Sequence, residues 1–195
     1  RSAVAGRGLQ LLDFDRECSR QGALRVAGVD EAGRGCWAGP VVAAAVMLPE
    51  GWAPDGLDDS KRLLAADREE IFAEIRTRAV AWAACAVGAQ QIDATNILAA
   101  TLVAMGRSLR RLRPVPDLVL VDGLQAPDVP LRMHPLVKGD ATSAAVAAAS
   151  VLAKVLRDRV MVAWDRRLPG YGFAAHKGYG AAEHRAALAR LGPSP

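Results

Sequence analysis

The feature that most constrains this chain is a short apolar segment that ends in two adjacent carboxylates and leads at once into a glycine-rich turn. Residues 26–35 read VAGVDEAGRG, so Asp30 and Glu31 follow the apolar part directly. Carboxylates at the end of a buried strand are costly to desolvate unless a cation lies beside them. Gly33 and Gly35 carry no side chains, so the backbone N–H groups there can approach a ligand closely. The segment therefore predicts a strand that delivers two acids to a ligand site.

Two further acids stand at similar boundaries. Asp122 closes the apolar run 118–121 and is followed by a glycine, and Asp140 precedes an alanine-rich helical stretch. Carboxylate oxygens are the ligands that Mg²⁺ and Mn²⁺ prefer. Four carboxylates at the ends of strands and helices therefore suggest a metal-dependent phosphodiesterase. A surface charge or a helix cap is the alternative for any one acid, and capping is a serious alternative for Asp140.

Hydrophobic periodicity and turn residues divide the chain into strands and helices. The predicted strands cover residues 24–29, 40–48, 79–87 and 118–121, with a brief extended piece at 131–137. The predicted helices cover residues 67–78, about 95–112, 142–167 and 181–191, with a short one around 9–18. Asp93 or Thr95 is the expected cap of the second of these helices. Strands that later alternate with helices indicate a mixed α/β layer fold, but this pattern alone leaves several topologies open.

The composition fits one domain over residues 1–195, with a core built from small side chains. Hydrophobic residues make up 51% of the chain, but aromatic residues only 5%. The three cysteines are widely spaced, so we expect free thiols in a reducing compartment. No apolar run approaches the roughly 18 residues that span a bilayer, and no leader segment is evident, so we expect a cytoplasmic protein.

The formal net charge is +4, and the excess lies in residues 138–195, which contain nine Lys and Arg against four Asp and Glu. Basic charge beside an acidic cluster suits a polyanionic substrate, although ordinary solvated helix faces explain the same count. The three histidines lack zinc-ligand spacing, and the chain has neither a GxSxG elbow nor a Walker-type phosphate loop. These patterns argue against a zinc enzyme, a serine hydrolase and a P-loop nucleotidase.

Seven sequence blocks, in this order, resemble the type 2 ribonuclease H family, ribonuclease HII. They are DEAGRG with AGPVVAAAV at 30–46, DSK at 59–61, NILAATLVAM at 96–105, VDG at 121–123, KGD at 138–140, AAASVLAKVLRD at 147–158 and HKGYG at 176–180. The blocks cover about residues 25–185, which is nearly the whole chain. A local departure is Cys36 with Trp37, where the family more commonly has proline and a small or aliphatic residue.

The resemblance implies a ribonuclease H-like α/β fold, with a central mixed sheet flanked by helices and a C-terminal helical part. It also implies an endoribonuclease that hydrolyses the RNA strand of RNA–DNA hybrids and incises duplex DNA 5′ to a single embedded ribonucleotide. The products would carry 3′-hydroxyl and 5′-phosphate ends. The implied roles are ribonucleotide excision repair and primer clearance, and we expect a monomer with no obligate protein partner.

The resemblance also implies roles for individual residues. Two Mg²⁺ or Mn²⁺ ions would be bridged by Asp30. Glu31 and Asp122 would complete one ion's site, and Asp140 would contribute to the other. Three residues in the turn that follows would recognise the ribonucleotide 2′-hydroxyl group mainly through the main chain: Gly33, Arg34 and Gly35.

Two residues outside these groups are further expected substrate contacts. Lys61 lies before a helix, where it could contact a backbone phosphate, balance the acids or be merely solvated. Tyr179 corresponds to the family residue that stacks on the sugar after the ribonucleotide, and its alternative is to seal the last helix against the core.

Several side chains keep two interpretations. Trp37 is favoured as a core or sheet-packing residue, with the wall of a substrate groove as the alternative. Lys154 and Asp158 are four residues apart on a predicted helix and could simply pair. These two, together with three other residues of the same region, are expected to serve either substrate binding or packing: Ser143, Ser150 and Arg157.

Three other protein classes compete with this interpretation. A type 3 ribonuclease H shares the fold and much of the motif but usually has an additional N-terminal domain, and only about 25 residues precede the first motif here. A non-catalytic nucleic-acid-binding module would be expected to lack at least one of the four acids. A Mg²⁺-dependent phosphatase on another α/β fold would need an acceptor motif such as Asp-x-Asp; the chain has this pattern only at Asp13-Phe14-Asp15, inside the short helix expected around residues 9–18.

Overall fold

A five-stranded mixed sheet forms the centre of the computed structural model, which describes residues 2–195. The strands lie in the order β3-β2-β1-β4-β5. Their bounds are Val26–Ala32 for β1, Val41–Met47 for β2, Ala81–Val87 for β3, Leu118–Asp122 for β4 and Met133–Leu136 for β5. β1, β2 and β3 pair in antiparallel fashion, whereas β4 runs parallel to both β1 and β5. The sheet is therefore mixed, with β1 at its centre.

Helices cover both faces of this sheet. Their bounds are Ser2–Arg20 for α1, Ala65–Arg78 for α2, Ala89–Ala94 for α3, Ile97–Leu109 for α4, Ala144–Arg167 for α5, Phe173–His176 for α6 and Ala182–Leu191 for α7. Helices α1, α2 and α5 form the apolar core on one face, and α4 forms the core on the other. Helices α6 and α7 pack beyond the end of α5 as the C-terminal helical part. The α/β class and the helix-flanked mixed sheet are confirmed.

The alanine-rich composition allows α5 to lie directly on the sheet. Residues 144–149 of α5 are almost fully buried, and all but one are alanine. A Cβ atom at Gly28 of β1 would lie only 2.1 Å from the backbone carbon of Ala145, so this strand position admits no side chain. Small residues on both sides therefore bring the helix backbone close to the central strand, at the cost of large side chains in this part of the core.

The sheet topology brings distant carboxylates to one edge. β1 and β4 are parallel neighbours, with Val29 opposite Val121, so Asp30 and Asp122 leave the ladder side by side. A short 3₁₀ turn, Gly139–Ala141, follows β5 and carries Asp140 to the start of α5. Three chain segments that are far apart in sequence therefore deliver acids to the same end of the sheet.

Several predicted boundaries are wrong. Helix α1 covers Ser2–Arg20, which is far longer than the short helix expected around residues 9–18. The helix expected over about residues 95–112 is α4, whereas the short α3 before it was not predicted. The cap of α4 is Asn96, whose side chain accepts a hydrogen bond from the Ala99 N–H. Neither Asp93 nor Thr95 caps it. Packing on β2 and β3, which no local pattern encodes, sets the start of α4.

The acids also lie differently from the local expectation. Strand β1 runs on to Ala32, so Asp30 and Glu31 lie within the strand and not after it. The cap of α5 is Ser143, whose hydroxyl accepts a hydrogen bond from the Val146 N–H at 3.2 Å. The capping interpretation of Asp140 is therefore wrong.

A partly buried acid, Asp15, joins α1 to the start of α5. The Asp15 carboxylate accepts a hydrogen bond from the Ala145 N–H at 2.9 Å, in the first turn of α5, where helix N–H groups lack internal partners. Its other oxygen is buried and has no hydrogen-bond partner among the residues described. Burial raises the pKa of Asp15 from 3.8 to about 6. Ionisation of this group thus opposes folding near neutral pH.

We predict that Asp15→Asn flattens part of the pH dependence of stability. Because the folded-state pKa is raised, the protonated acid favours the folded state below about pH 4, and this contribution is lost as the pH rises through about 6. The variant should therefore gain up to about 3 kcal/mol relative to wild type between pH 4 and pH 7. Urea unfolding across this range is the measurement. Asp13→Asn, on the exposed side of the same helix, is the control, and an equal gain there would contradict the assignment.

Candidate active site

Four acids predicted from the sequence occupy one end of the sheet. Asp30 and Glu31 come from β1, Asp122 ends β4, and Asp140 lies in the 3₁₀ turn before α5. Asp30 and Asp140 are buried, with 5% and 7% of their surfaces exposed. Asp122 is close enough to Asp30, Glu31 and Asp140 that its negative charge raises the pKa of each of these three acids. The structure therefore brings the four predicted ligands together around Asp122.

Backbone hydrogen bonds fix two of these carboxylates. Asp122 Oδ1 accepts a hydrogen bond from the Gly139 N–H at 2.7 Å, which ties the end of β4 to the turn that carries Asp140. Asp30 Oδ1 accepts from the Glu31 N–H at 2.7 Å. Lys138, just before the turn, adopts a left-handed φ of 58°, which directs the chain from β5 back toward β4. Asp30 and Asp122 are therefore held by backbone N–H groups.

Burial and mutual repulsion disfavour the charged forms of the acids at this end of the sheet. Burial, and then repulsion from Asp122 and Glu31, raise the pKa of Asp30 well above its usual value. Burial likewise raises the pKa values of Glu31 and Asp140. A cation placed among these groups would relieve both the repulsion and the desolvation.

Two exposed cations contact the cluster at its rim. Arg34 Nη1 lies 3.7 Å from Glu31 Oε1, and Lys61 Nζ lies 3.6 Å from Asp140 Oδ2. Burial alone would lower the pKa of Lys61, but the carboxylates of Asp140 and Asp59 outweigh it and raise that pKa. Two exposed side chains do not neutralise four acids, so the cluster keeps a negative charge that suits divalent cations.

The donor set fits Mg²⁺ or Mn²⁺. All four groups are hard carboxylate oxygens, which these ions prefer. Among the side chains that the structure describes, no three acidic, histidine or cysteine groups already surround a common point as a closed metal cage requires. Mg²⁺ sites in phosphate chemistry typically take one or two carboxylates, with waters and substrate oxygens supplying the other ligands. The open arrangement of these acids is of that kind.

A pair of buried serines attaches the loop that carries Lys61 to helix α5. The hydroxyl groups of Ser60 and Ser150 lie 2.8 Å apart and are both buried, so they join the loop before α2 to the middle of α5. The Asp59 carboxylate accepts from the Lys61 N–H at 2.9 Å and shapes the loop. The Ser60–Ser150 pair was not predicted as a contact, because the two residues are 90 positions apart and neither has a local signal.

The glycine-rich turn has a backbone shape that excludes side chains at its first glycine. Gly33 has a φ of +107°, and a Cβ atom there would lie 2.2 Å from Arg157 Nε. The Cys36 N–H closes the turn on the Gly33 carbonyl at 3.1 Å. A Cβ atom at Gly35 would meet nothing within 4 Å, so this glycine leaves open space on the outer side of the turn. Arg34 lies between the two with its side chain half exposed.

Tyr179 lies beside this turn, in the loop between α6 and α7. The Trp37 N–H donates to the Gly178 carbonyl at 2.9 Å, so the turn and the loop are directly hydrogen-bonded. The tyrosine is 42% exposed, and its ring is faced by Lys154 Nζ and by the Arg157 guanidinium, at 5.4 and 5.7 Å from the ring centre. This geometry does not fit a tyrosine that seals the last helix against the core.

Trp37 is not a core residue, and the favoured interpretation of it is wrong. The side chain is 58% exposed. One edge packs against Gly180, where a Cβ atom would lie 2.6 Å from the ring, and the centre of the His184 ring lies 5.9 Å away. The tryptophan therefore forms part of the outer wall between the turn and the Tyr179 loop.

The residues in or next to α5 that were expected to serve either substrate binding or packing have different contacts in the structure. Lys154 and Asp158 pair at 2.9 Å, as their spacing suggested. Ser143 caps the helix and Ser150 joins it to the lysine loop, so both have structural contacts. Arg157 is fully buried and contacts backbone carbonyls of the turn and the loop.

Comparison with known proteins decides the family. The sequence model of Ribonuclease HII matches residues 27–195. This chain belongs to the ribonuclease HII family. A ribonuclease HII from Syntrophotalea carbinolica is 54% identical over 184 residues, which are 94% of this chain and 88% of the relative. The chain is thus a metal-dependent ribonuclease H, an endoribonuclease that acts on RNA–DNA hybrids.

Solved structures agree with this family and its fold. The ribonuclease H2 from Pyrococcus horikoshii superposes with a TM-score of 0.73 at 25% identity, over 88% of this chain and 90% of that protein. Bst-RNase HIII in complex with Mn²⁺ superposes with a TM-score of 0.65 at 20% identity, over 88% and 71% of the two chains. The ribonuclease H-like fold is confirmed. No helix in the part of the chain that is described has both the length and the apolar character needed to cross a membrane.

We predict that Asp30→Asn separates stability from metal binding. Removing this buried acid should raise the free energy of unfolding of the metal-free protein at pH 7 by about 1–3 kcal/mol. The same change should weaken the stabilisation by added Mn²⁺ and reduce nuclease activity by several orders of magnitude. Thermal unfolding with EDTA and with Mn²⁺, together with turnover, tests this. Asp117→Asn at the start of β4, where the acid pairs with Arg25, is the control and should keep the Mn²⁺ response.

We predict that Trp37→Ala raises KM more than it lowers stability. An exposed ring on the wall between the turn and the loop loses little packing on truncation but removes a large contact surface for nucleic acid. KM for a hybrid substrate should rise by about 3- to 10-fold, with a change in melting temperature of only about 1–3 °C. Trp164→Ala, a half-exposed tryptophan near the end of α5, is the control. A large fall in melting temperature with unchanged KM would show that Trp37 serves packing.

Proposed function

We propose that this endoribonuclease, besides cutting the RNA strand of hybrids, incises duplex DNA 5′ to a single embedded ribonucleotide and leaves 3′-hydroxyl and 5′-phosphate ends. The observation that carries the proposal is the contact between the Gly33–Gly35 turn and the Tyr179 loop through the Trp37–Gly178 hydrogen bond. To recognise an RNA-to-DNA junction, the group that binds one 2′-hydroxyl and the group that contacts the next sugar must be adjacent. In this proposal the enzyme serves ribonucleotide excision repair and primer clearance.

The turn is the part that would recognise the ribonucleotide. A 2′-hydroxyl group both donates and accepts a hydrogen bond, and it is the group that distinguishes RNA from DNA. Backbone N–H and C=O groups around Gly33 and Gly35 offer both functions, and the open space at Gly35 allows a close approach. Arg34, half exposed beside them, is placed to contact an adjacent phosphate.

Tyr179 would contact the nucleotide that follows the ribonucleotide. Its ring is nearly half exposed, and Lys154 and Arg157 of α5 lie near its centre, so the exposed part of the ring is available to the substrate. Stacking on a sugar favours one pucker, and the C2′-endo pucker is characteristic of deoxyribose. The pair formed by the turn and Tyr179 therefore favours a deoxyribose immediately 3′ to the ribonucleotide.

The four acids would hold two divalent cations. Asp30 is the proposed bridging ligand, with Glu31 and Asp122 on one ion and Asp140 on the other. Divalent cations in such sites supply an activated water and stabilise charge on the entering and leaving oxygens. The complex of Bst-RNase HIII with Mn²⁺ supports the choice of ion. Lys61 at the rim, beside Asp140, is placed to contact a substrate phosphate.

A cleavage assay tests the proposal directly. We expect a labelled DNA duplex with one ribonucleotide to be cut once, on the 5′ side of that nucleotide, with Mg²⁺ or Mn²⁺ present and not with EDTA. An all-DNA duplex of the same sequence should remain intact, and a continuous hybrid should be cut at many positions. Equal cutting of the two duplexes would contradict recognition of the 2′-hydroxyl group. An intact single-ribonucleotide duplex under conditions that degrade the hybrid would contradict junction recognition.

We predict that Tyr179→Ala reduces kcat/KM on the single-ribonucleotide duplex by roughly 5- to 150-fold, the equivalent of one lost stacking contact of about 1–3 kcal/mol. The loss should be smaller on a continuous hybrid, where no deoxyribose follows most cut sites. Tyr179→Phe keeps the ring and is the matched control, so it should retain most of the activity. Equal losses on both substrates, with a lowered melting temperature, would assign Tyr179 to packing instead.

A further inference from the structure

A fully buried arginine links the glycine-rich turn to the Tyr179 loop, the two segments proposed to recognise the RNA-to-DNA junction. Arg157, in the third quarter of α5, has 0% of its surface exposed. Its Nε donates to the Pro40 carbonyl at 2.9 Å and its Nη2 to the Ala38 carbonyl at 3.0 Å, both just after the glycine-rich turn. Its Nη1 donates to the Lys177 carbonyl at 2.8 Å, two residues before Tyr179. One side chain thus holds both segments.

The arginine also determines the shape of each segment. Its Nε fills the space that a Cβ atom at Gly33 would occupy, so the guanidinium supports the inner side of the turn. Lys177 has a left-handed φ of 52°, a conformation that is unfavourable for a non-glycine residue, and its carbonyl is one of the three acceptors. The guanidinium carbon lies 5.7 Å from the centre of the Tyr179 ring.

Packing alone does not explain a charge at this place. Among the side chains that the structure describes, no carboxylate lies within 4.0 Å of the guanidinium, so three neutral carbonyls and an aromatic face are its partners. Burying an unpaired charge is costly, and an apolar side chain of similar volume often stabilises a core better. What the guanidinium supplies instead is geometry, since its planar set of N–H donors fixes three acceptors at set angles.

We propose that Arg157 is a positioning residue that sets the spacing between the 2′-hydroxyl-reading turn and Tyr179 and thereby determines selectivity for the RNA-to-DNA junction. This inference rests on the proposed function and deepens it. Lysine at position 157 has donors at a single point and cannot span the acceptors on both segments. An Arg157→Lys variant therefore keeps the charge but loosens the link, and Arg157→Met removes the donors altogether.

The test combines cleavage kinetics with hydrogen exchange. We expect Arg157→Lys to lower kcat/KM on the single-ribonucleotide duplex by about 10- to 100-fold, mainly through KM, and to change cleavage of a continuous hybrid by less than about 3-fold. In a Tyr179→Ala background the same substitution should have a much smaller effect, because the two residues act together. Arg157→Met should show a larger loss in the same direction.

Hydrogen exchange measures the link without any substrate. In the free Arg157→Lys protein, amide exchange should accelerate in both segments, residues 33–41 and 176–181, while β1 and β4 keep their protection. Arg159→Lys is the matched control: this arginine lies two positions along α5, is half exposed and pairs with Glu69 at 2.5 Å. It should leave both exchange and substrate preference unchanged.

The outcomes separate this inference from the proposed function. Equal losses on both substrates that follow the amount of folded protein, or faster exchange in only one segment or in neither, would overturn the positioning role. If the wild-type enzyme cuts hybrids but leaves the single-ribonucleotide duplex intact, the proposed function fails, and the exchange experiment still decides whether Arg157 couples the two segments.

Discussion

The close contact between α5 and the central strand β1 is the constraint on which the site depends. Gly28 and the alanines at the start of α5 remove side chains from both surfaces, so the helix lies against the strand backbone. Helix α5 then contacts three parts of the site. Its start follows the Asp140 turn, its middle bonds Ser60 beside Lys61, and its third quarter holds the glycine-rich turn through Arg157.

This arrangement sets stability against function. Burial, and then repulsion from neighbouring carboxylates, raise the pKa values of Asp30, Glu31 and Asp140. Asp15 of α1 contacts the start of α5. It is a partly buried acid whose ionisation also opposes folding near neutral pH. A core of larger apolar residues would relieve these costs, but it would neither bind divalent cations nor bring helix and strand so close. Strain of this kind is expected where electrostatics serve chemistry.

The fold class and most strands could be predicted from local pattern, because buried strands here are short apolar runs between turn residues. Boundaries were less predictable. The extent of α1 and the division of α3 from α4 depend on contacts with other parts of the chain, and Asn96 caps α4 although Asp93 and Thr95 are equally good cap residues by type. Trp37 shows the same limit in the site. Its size suggested the core, but Gly180 and His184 leave most of the ring exposed.

The sequence by itself determined the family and its candidate residues: the acids, the glycine-rich turn and the tyrosine that match ribonuclease HII motifs. Those features are local, since each needs only its own residue type and its immediate neighbours. Only the tertiary structure decided how these residues are assembled. That Asp122 stands beside Asp30 follows from the parallel pairing of β1 with β4, and that Arg157 joins the turn to the Tyr179 loop follows from the path of α5. Asp30 and Asp122, and likewise Arg157 and Pro40, are more than 90 positions apart. No local pattern encodes these contacts, because they depend on how whole elements pack.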